Sequence, residues 1–508
     1  MPVRTPRTTA RGRTLAAGAA LSALVGLTVL APQGATAAPA AGTGAAATTA
    51  AAATAPGETM VYAVNARQAN RGQTLKVERA VTAAGGSVVT SWAEIGVVIA
   101  RSTDPGFAAA LRRDAAVESV GATRTAAVAA TDPTTGVGDP LAEGESGNGP
   151  RTKAAAAQRA ADVEATTTAA LDPREGEQWD LAAIGADEAH EITDGSRDVL
   201  VAVLDSGIEG THPDLAPNID AAASAGCLGG VPDTRYAAWQ PTTSDHGTHV
   251  AGTIAAARNG VGIVGVAPGV RMSSVKVVND DGFIYPEAAI CGFMHAALTG
   301  ADVTNNSYYV DPWQFWCDDD ADQRAVKTAV DRAVQFSRGR GVANVAAAGN
   351  SNVDLAHKTT DSSSPNDTTP VTRPIDGGCE DIPAELDGVV TVSSTDRNGA
   401  KSSFSNYGEG VIDVAAPGRG ILSAVTGGGY GLKSGTSMAS PHAAGVLALI
   451  KSAHPELSGD ALVQRLEQQA DDTPCPATAP TGGALCTGTA ADNGFFGEGL
   501  VDALDAVR

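Results

Sequence analysis

From Trp179 to the C-terminus, short apolar runs alternate with stretches of helical composition, an order that few architectures satisfy. Residues 199–204 read as a buried strand and 246–258 as a helix. The alternation continues with strand 272–278, helix 287–298, strand 303–307, helix 324–338 and strand 342–348. Further strands follow at 389–393 and 411–415, then a long helix at 437–454. Strands apolar at nearly every position are covered on both faces, and strand–helix–strand order joins neighbours in parallel. The pattern predicts an α/β unit built on a largely parallel sheet with helices on both faces. In such sheets sites form beyond the carboxyl ends of the strands. Asp205 and Asn350 fall there.

Three segments carry residue types that suit nucleophilic chemistry: Asp205-Ser206-Gly207-Ile208, His246-Gly247-Thr248-His249-Val250-Ala251-Gly252 and Gly435-Thr436-Ser437-Met438-Ala439-Ser440-Pro441-His442. A serine nucleophile needs a base to take its proton and a carboxylate to orient that base. Asp205, His246 and Ser437 supply the three in the order acid, base, nucleophile. Ser437 opens a helix, where free backbone N–H groups and the positive end of the dipole favour developing negative charge. Asn350, ending Ala346-Ala347-Ala348-Gly349-Asn350, offers an amide donor at another strand end. His249 and His442 sit on apolar helix faces and read as packing residues. The His246/His249 pair lacks the carboxylate of a zinc-protease pattern. Gly260-Val261-Gly262-Ile263-Val264-Gly265 matches the dinucleotide fingerprint in letters only. It follows a helix and leads into a strand, the reverse of the context that fingerprint needs.

These motifs resemble those of the subtilisin family, the subtilases, in which the same order of acid, base and nucleophile is known. The likeness runs from about Trp179 to the C-terminus. It implies a subtilisin-like fold and a serine endopeptidase with Asp205, His246 and Ser437 as triad and no cofactor for chemistry. Asn350 would share the oxyanion with the Ser437 N–H. It also implies a substrate cleft between Gly282-Phe283-Ile284 and Ser307-Tyr308-Tyr309, with Ala348 and Gly349 at its floor. The family's usual Ser-Leu-Gly-Gly edge reads Ser307-Tyr308-Tyr309-Val310 here, so pocket shapes do not transfer. The resemblance further implies a structural calcium ion at Asp214, Asn259 and the carbonyls of Ala257, Val261 and Ile263. An ungapped count puts Glu175 at one more ligand position. Protein or peptide substrates are expected, and whether the enzyme is broad-range or dedicated to one target stays open.

The N-terminal third reads differently. Residues 1–37 carry four arginines, an apolar run at 15–30 and Ala35-Thr36-Ala37, the pattern of a secretory signal, which predicts export. An Ala/Thr tract at 38–57 is a linker. Residues 58–130 have the β-α-β-β-α-β order of a split βαβ motif, and they resemble the propeptide that precedes subtilases. Such a segment would act as intramolecular chaperone and inhibitor of a self-processing zymogen. Residues 131–175 read as a linker and 176–508 as the peptidase domain, with the maturation cut anywhere from about Thr125 to Gln178.

Net charge is −22, and the acidic excess lies after residue 174. That argues against nucleic acid or an anionic membrane as partner. No membrane anchor and a monomer are expected. Six cysteines, none in a Cys-x-x-Cys spacing, fit disulfides in an oxidising compartment. Cys475 and Cys486 close a local loop, and the pairing of Cys227, Cys291, Cys317 and Cys379 is left open.

Overall fold

The structure, a computed structural model, describes residues 57–128, 171–478 and 483–508. The expected signal at 1–37, the Ala/Thr tract up to residue 56, the last two residues of the 58–130 segment and residues 131–170 of the linker lie outside the described residues.

The alternation builds the expected sheet. Its strands are β5 (Leu200–Asp205), β6 (Ala225–Gly226), β7 (Arg271–Lys276), β8 (Val303–Asn306), β9 (Ala343–Ala347), β10 (Val389–Thr395) and β11 (Val414–Pro417). All seven are parallel, in the order β11-β10-β9-β8-β5-β7-β6. Helices α3 (His246–Ala255) and α6 (Thr436–Ala453) contribute Val250, Ile254, Val446 and Leu449 to the core on one face. Helices α4 (Pro286–Thr299) and α5 (Ala321–Gly339) cover the other through Ile290, Phe293, Val326 and Val330. Helix starts are set locally. The Asp320 carboxylate accepts from the N–H groups of Asp322 (2.8 Å) and Gln323 (3.0 Å) to cap α5, and Pro286 opens α4.

Three features depart from the sequence reading. Helix α3 ends at Ala255, where the chain turns into the glycine-rich loop. Strand β11 begins at Val414, because Asp413 turns its carboxylate to cap the N–H of Thr391 at 2.7 Å. An antiparallel hairpin of β12 (Arg419–Val425) and β13 (Gly429–Ser434) intervenes before α6 and buries Ile421 and Leu422 against α3. The disulfides are Cys227–Cys291, Cys317–Cys379 and the expected Cys475–Cys486. Among the described residues, no helix is long and apolar enough to cross a membrane.

Residues 60–122 form a four-stranded antiparallel sheet, order β2-β3-β1-β4, from β1 (Met60–Ala66), β2 (Ser87–Trp92), β3 (Val97–Ser102) and β4 (Val117–Ala122). Helices α1 (Arg71–Ala83) and α2 (Phe107–Leu111) cover one face. Side chains alternate across a strand: Met60, Tyr62 and Val64 point into this small core, whereas Val61 and Ala63 join the core beneath α4 and α5. Asn65 Nδ2 donates to the Ala325 carbonyl at 2.7 Å, and Arg332 Nη1 donates to that of Ala66 at 3.0 Å. Gly121 lies so close to α5 that a Cβ there would stand 2.1 Å from the Asp322 carbonyl oxygen.

Candidate active site

Asp205 ends β5 at the sheet's carboxyl edge, buried. Its Oδ1 accepts from the Ser206 N–H at 2.6 Å, and the carboxylate receives His246 Nδ1–H at 2.9 and 3.0 Å. The approach depends on Gly247, where a Cβ would stand 2.6 Å from the Gly207 carbonyl oxygen and 3.1 Å from Asp205 Cβ. With Nδ1–H given to Asp205, Nε2 is left as the basic nitrogen. Burial disfavours the imidazolium, yet the Asp205 carboxylate outweighs it and holds His246 above the ordinary histidine value.

Ser437 is the second residue of α6, after Gly435 and Thr436. Its hydroxyl donates to the Ser307 carbonyl at 3.3 Å, and Ser307 Oγ donates to the Ser437 carbonyl at 3.0 Å. One turn on, Ser440 Oγ donates to Asn305 Oδ1 at 2.6 Å. The N-terminus of α6 is thereby fastened to the end of β8. Helices α3 and α6 pack together, but in this rotamer Ser437 Oγ is bonded to Ser307 and not to His246. Asn350 Oδ1 accepts from Thr436 N–H (2.8 Å) and Thr436 Oγ1 (3.0 Å), which leaves its NH2 group as the free end beside Ser437.

A cleft of about 430 Å³ adjoins Ser437. Gly282, Phe283 and Ile284 form one rim and Ser307, Tyr308 and Tyr309 the other, with Gly349 and Asn350 between them. Ala348 is corrected: its side chain is fully buried in a core cluster with Phe315 and Leu355, and Ala347 lines the cleft in its place. The tyrosines are pinned rather than free. Tyr308 Oη donates to Asn306 Oδ1 and Tyr309 Oη accepts from Asn366 Nδ2, each at 3.0 Å, and burial raises both phenols.

Sequence reasoning missed Asp311, Gln314, Ser363, Asn366 and Asp381, which complete the cleft. Asp311 was the reachable one, in the Asp-Pro step directly after the Ser307 rim; the others come from a loop region without periodicity. Asp311 accepts from Ile284 N–H and from Asn366 Nδ2, both at 2.6 Å, and burial pushes its carboxyl up to about 7. Asp381 is fully enclosed, and burial pushes it well above the carboxylate range.

His249 and His442 are built into the core, as expected. His249 Nε2 donates to the carbonyls of Ile421 and Gly431, and burial lowers it to about 4; His442 bridges the Met438 carbonyl and Asp180.

The 257–263 loop bears on calcium. No group of three or more His, Cys, Asp or Glu side chains among the described residues is placed to hold a metal, so any cation there would rest largely on carbonyls. Asp214 is buried, its Oδ2 accepts from Ile263 N–H at 3.0 Å, and its Oδ1 has no partner. The carbonyls of Ala257, Val261 and Ile263 accept no hydrogen bond from a described residue. Asn259 Oδ1 accepts from Val261 N–H at 3.1 Å, and Glu175 is committed to Arg258 at 2.7 and 2.9 Å. An orphaned carboxylate oxygen and three unbonded carbonyls on this loop are donor types that suit a hard cation.

The family model described as the subtilase family matches residues 196–499. The M-protease of Shouchella clausii is 33% identical over 350 residues, 68% of this chain and 73% of that protein. Subtilisin BL of Lederbergia lenta is 33% identical over 333 residues, 65% of this chain and 98% of its own. Among solved structures, the epidermin leader peptide processing serine protease of Staphylococcus aureus matches with a TM-score of 0.62 at 21% identity. That match covers 89% of this chain and 98% of the other. A protease of Pseudoalteromonas arctica matches with a TM-score of 0.50 at 30% identity, over 67% and 99%.

Proposed function

The chain belongs to the subtilase family and is a serine-type endopeptidase, and from that premise we propose that Asp205, His246 and Ser437 hydrolyse peptide bonds through an acyl-enzyme in a secreted, self-processing monomer. The observation that carries the reading is the two-oxygen grip of Asp205 on His246 Nδ1, which fixes the tautomer a general base needs.

The steps follow from that tautomer. The Ser437 hydroxyl turns from the Ser307 carbonyl to His246 Nε2, gives up its proton and attacks the scissile carbonyl carbon. Asn350 Nδ2–H and the Ser437 N–H hold the resulting oxyanion. Asn350 is prepared for this because its other amide atom is already tied to Thr436. The imidazolium then protonates the leaving amine, the C–N bond breaks, and water releases the acyl group by the same route in reverse. Backbone groups at 282–284 and 307–309 would pair with an extended substrate.

Residues 58–130 would serve as the propeptide. The two-sided burial of their sheet supports this, as does the buried ion pair of Arg124 with Glu287 on α4. Thr125 and Ala126 donate their N–H groups to Asp367 at 2.8 and 3.0 Å, near the cleft. Export rests on the leader-like first 37 residues. In Ser437→Ala, peptide hydrolysis and labelling by a fluorophosphonate should vanish, and the chain should stay uncut between Thr125 and Gln178. Processing of that variant, expressed alone in a protease-free host, would remove self-maturation.

Calcium is proposed for the Asp214 loop as a stabiliser with no part in chemistry. Binding to the folded state adds about 2.7 kcal/mol at 100 times Kd. The melting temperature should fall in chelator, and Asp214→Ala should shrink the difference. Equal melting in both buffers would dismiss the site.

A further inference from the structure

The pocket beside Ser437 contains no basic side chain, and two of its buried acceptor oxygens have no donor. Asp381 lines it, is only 1% exposed, and its Oδ1 accepts no hydrogen bond. Asn366 Oδ1 is likewise buried and unpartnered, since its Nδ2 serves Tyr309 and Asp311. Lys358 is a nearby cation, but it is held by Glu385, with Nζ 2.6 Å from Oε2. Glu385 also receives the Asp381 N–H at 2.7 Å, so its charge is already met. Asp311 and Asp381 thus share this site, and the cation whose field reaches Asp381, Lys358, is already paired with Glu385.

Buried polar atoms are almost always hydrogen-bonded, and leaving a carboxylate oxygen without a donor is costly. In a cleft that opens next to a nucleophile, the missing donor is most simply the substrate. Depth agrees. Asp381 Oδ2 lies 3.6 Å from where a Cβ on Gly349 would stand, directly before the Asn350 amide that would hold the oxyanion. With Ser437 as the nucleophile, the carboxylate would lie where the residue contributing the scissile carbonyl places its side chain. A long side chain with several N–H donors and a positive charge would reach Asp381 and Asn366 and complete both.

We propose that this pocket takes the side chain of Arg or Lys, so that the enzyme cleaves on the carboxyl side of a basic residue. The inference rests on the reading of Ser437 as nucleophile and adds the substrate class. Burial raises both carboxyls, as fits acids waiting for a cation; its arrival would favour their ionised forms. The apolar rim of Phe283, Ile284 and Tyr308 would flank the aliphatic stem.

The test uses the processed enzyme and one peptide series differing only at the residue before the cut: Arg, Lys, Phe, Leu and Glu. The kcat/KM for Arg and Lys should exceed that for Phe and Leu by at least about tenfold, with Glu poorest. Benzamidine, a small amidine cation, should inhibit competitively. Asp381→Asn should lower the Arg-to-Phe ratio on the order of 10²-fold, as expected for a buried charge losing its partner, by weakening Arg and improving Phe. The comparison within the native enzyme and the benzamidine arm do not depend on that variant folding. Ser437-dependent cleavage that favours Phe or Leu, or no benzamidine inhibition, would overturn the basic pocket while leaving the protease intact. If no peptide is cut and Ser437 resists fluorophosphonate, the catalytic reading falls and this inference with it.

Discussion

The group proposed to be catalytic and the pocket beside it handle their polar atoms in opposite ways. Around Asp205, His246 and Asn350 the polar groups serve one another: Asp205 binds both Ser206 N–H and His246, and Asn350 binds Thr436 twice. A few ångströms away Asp381 and Asn366 are left with buried oxygens that nothing meets. Groups that must act identically in every turnover are pre-organised before substrate arrives. Groups that choose among substrates are useful when only the right ligand completes them, because a mismatch then leaves a buried atom unpaired.

If that contrast holds, disabling one region should leave the signature of the other readable. The largest effect is expected from Asn350→Ala. In subtilisin, loss of the equivalent donor is known to cost about 10²–10³ in kcat, and the same is expected here. The Arg-to-Phe ratio should not move. A changed ratio, measured with the same peptide series, would mean that the two regions are not separate.

The second test is pH. Protonated His246 cannot accept the Ser437 proton, so kcat/KM should fall as pH drops through its folded pKa. Asp205 holds that pKa above the ordinary 6.5, so the acid limb should have its midpoint above 6.5, losing about tenfold per pH unit below it. An uncharged Phe substrate isolates this limb from the pocket carboxyls. A midpoint at or below 6.5 would contradict the Asp205–His246 coupling.

The smallest effect, a few-fold change, is expected from Tyr309→Gly. Removing the ring opens the cleft and frees Asn366 Nδ2 from its bond to the phenol. A wider range of peptides should be cut, with triad chemistry unchanged. An unaltered cleavage profile on a mixed library would show that the ring does not shape selection.

The sequence was legible where chemistry dictates residue type and place. Asp205, His246, Ser437 and Asn350 fall at strand ends and helix starts that periodicity alone locates, and the alternation of strands and helices foretold the parallel sheet. The β12–β13 hairpin escaped because no helix separates its strands. Ala348 was misassigned because parity at the end of β9 sends its methyl into the core and leaves Ala347 at the cleft. Asp381 escaped for another reason. It reaches the pocket from a loop region with neither period nor motif, and only folding brings it beside Asp311 and Asn366.

The alternating side chains of β1 have a thermodynamic corollary. Met60, Tyr62 and Val64 belong to one core and Val61 and Ala63 to another, so this short strand is a shared wall between two rooms. Detaching the small sheet from α5 would strip its outer face, and melting its own helices would loosen the face that α5 needs. Folding and docking of residues 60–122 are therefore expected to form a single cooperative equilibrium. A bulky substitution at Gly121, on the contact surface, should register as unfolding of that segment rather than as a weakened but intact partner.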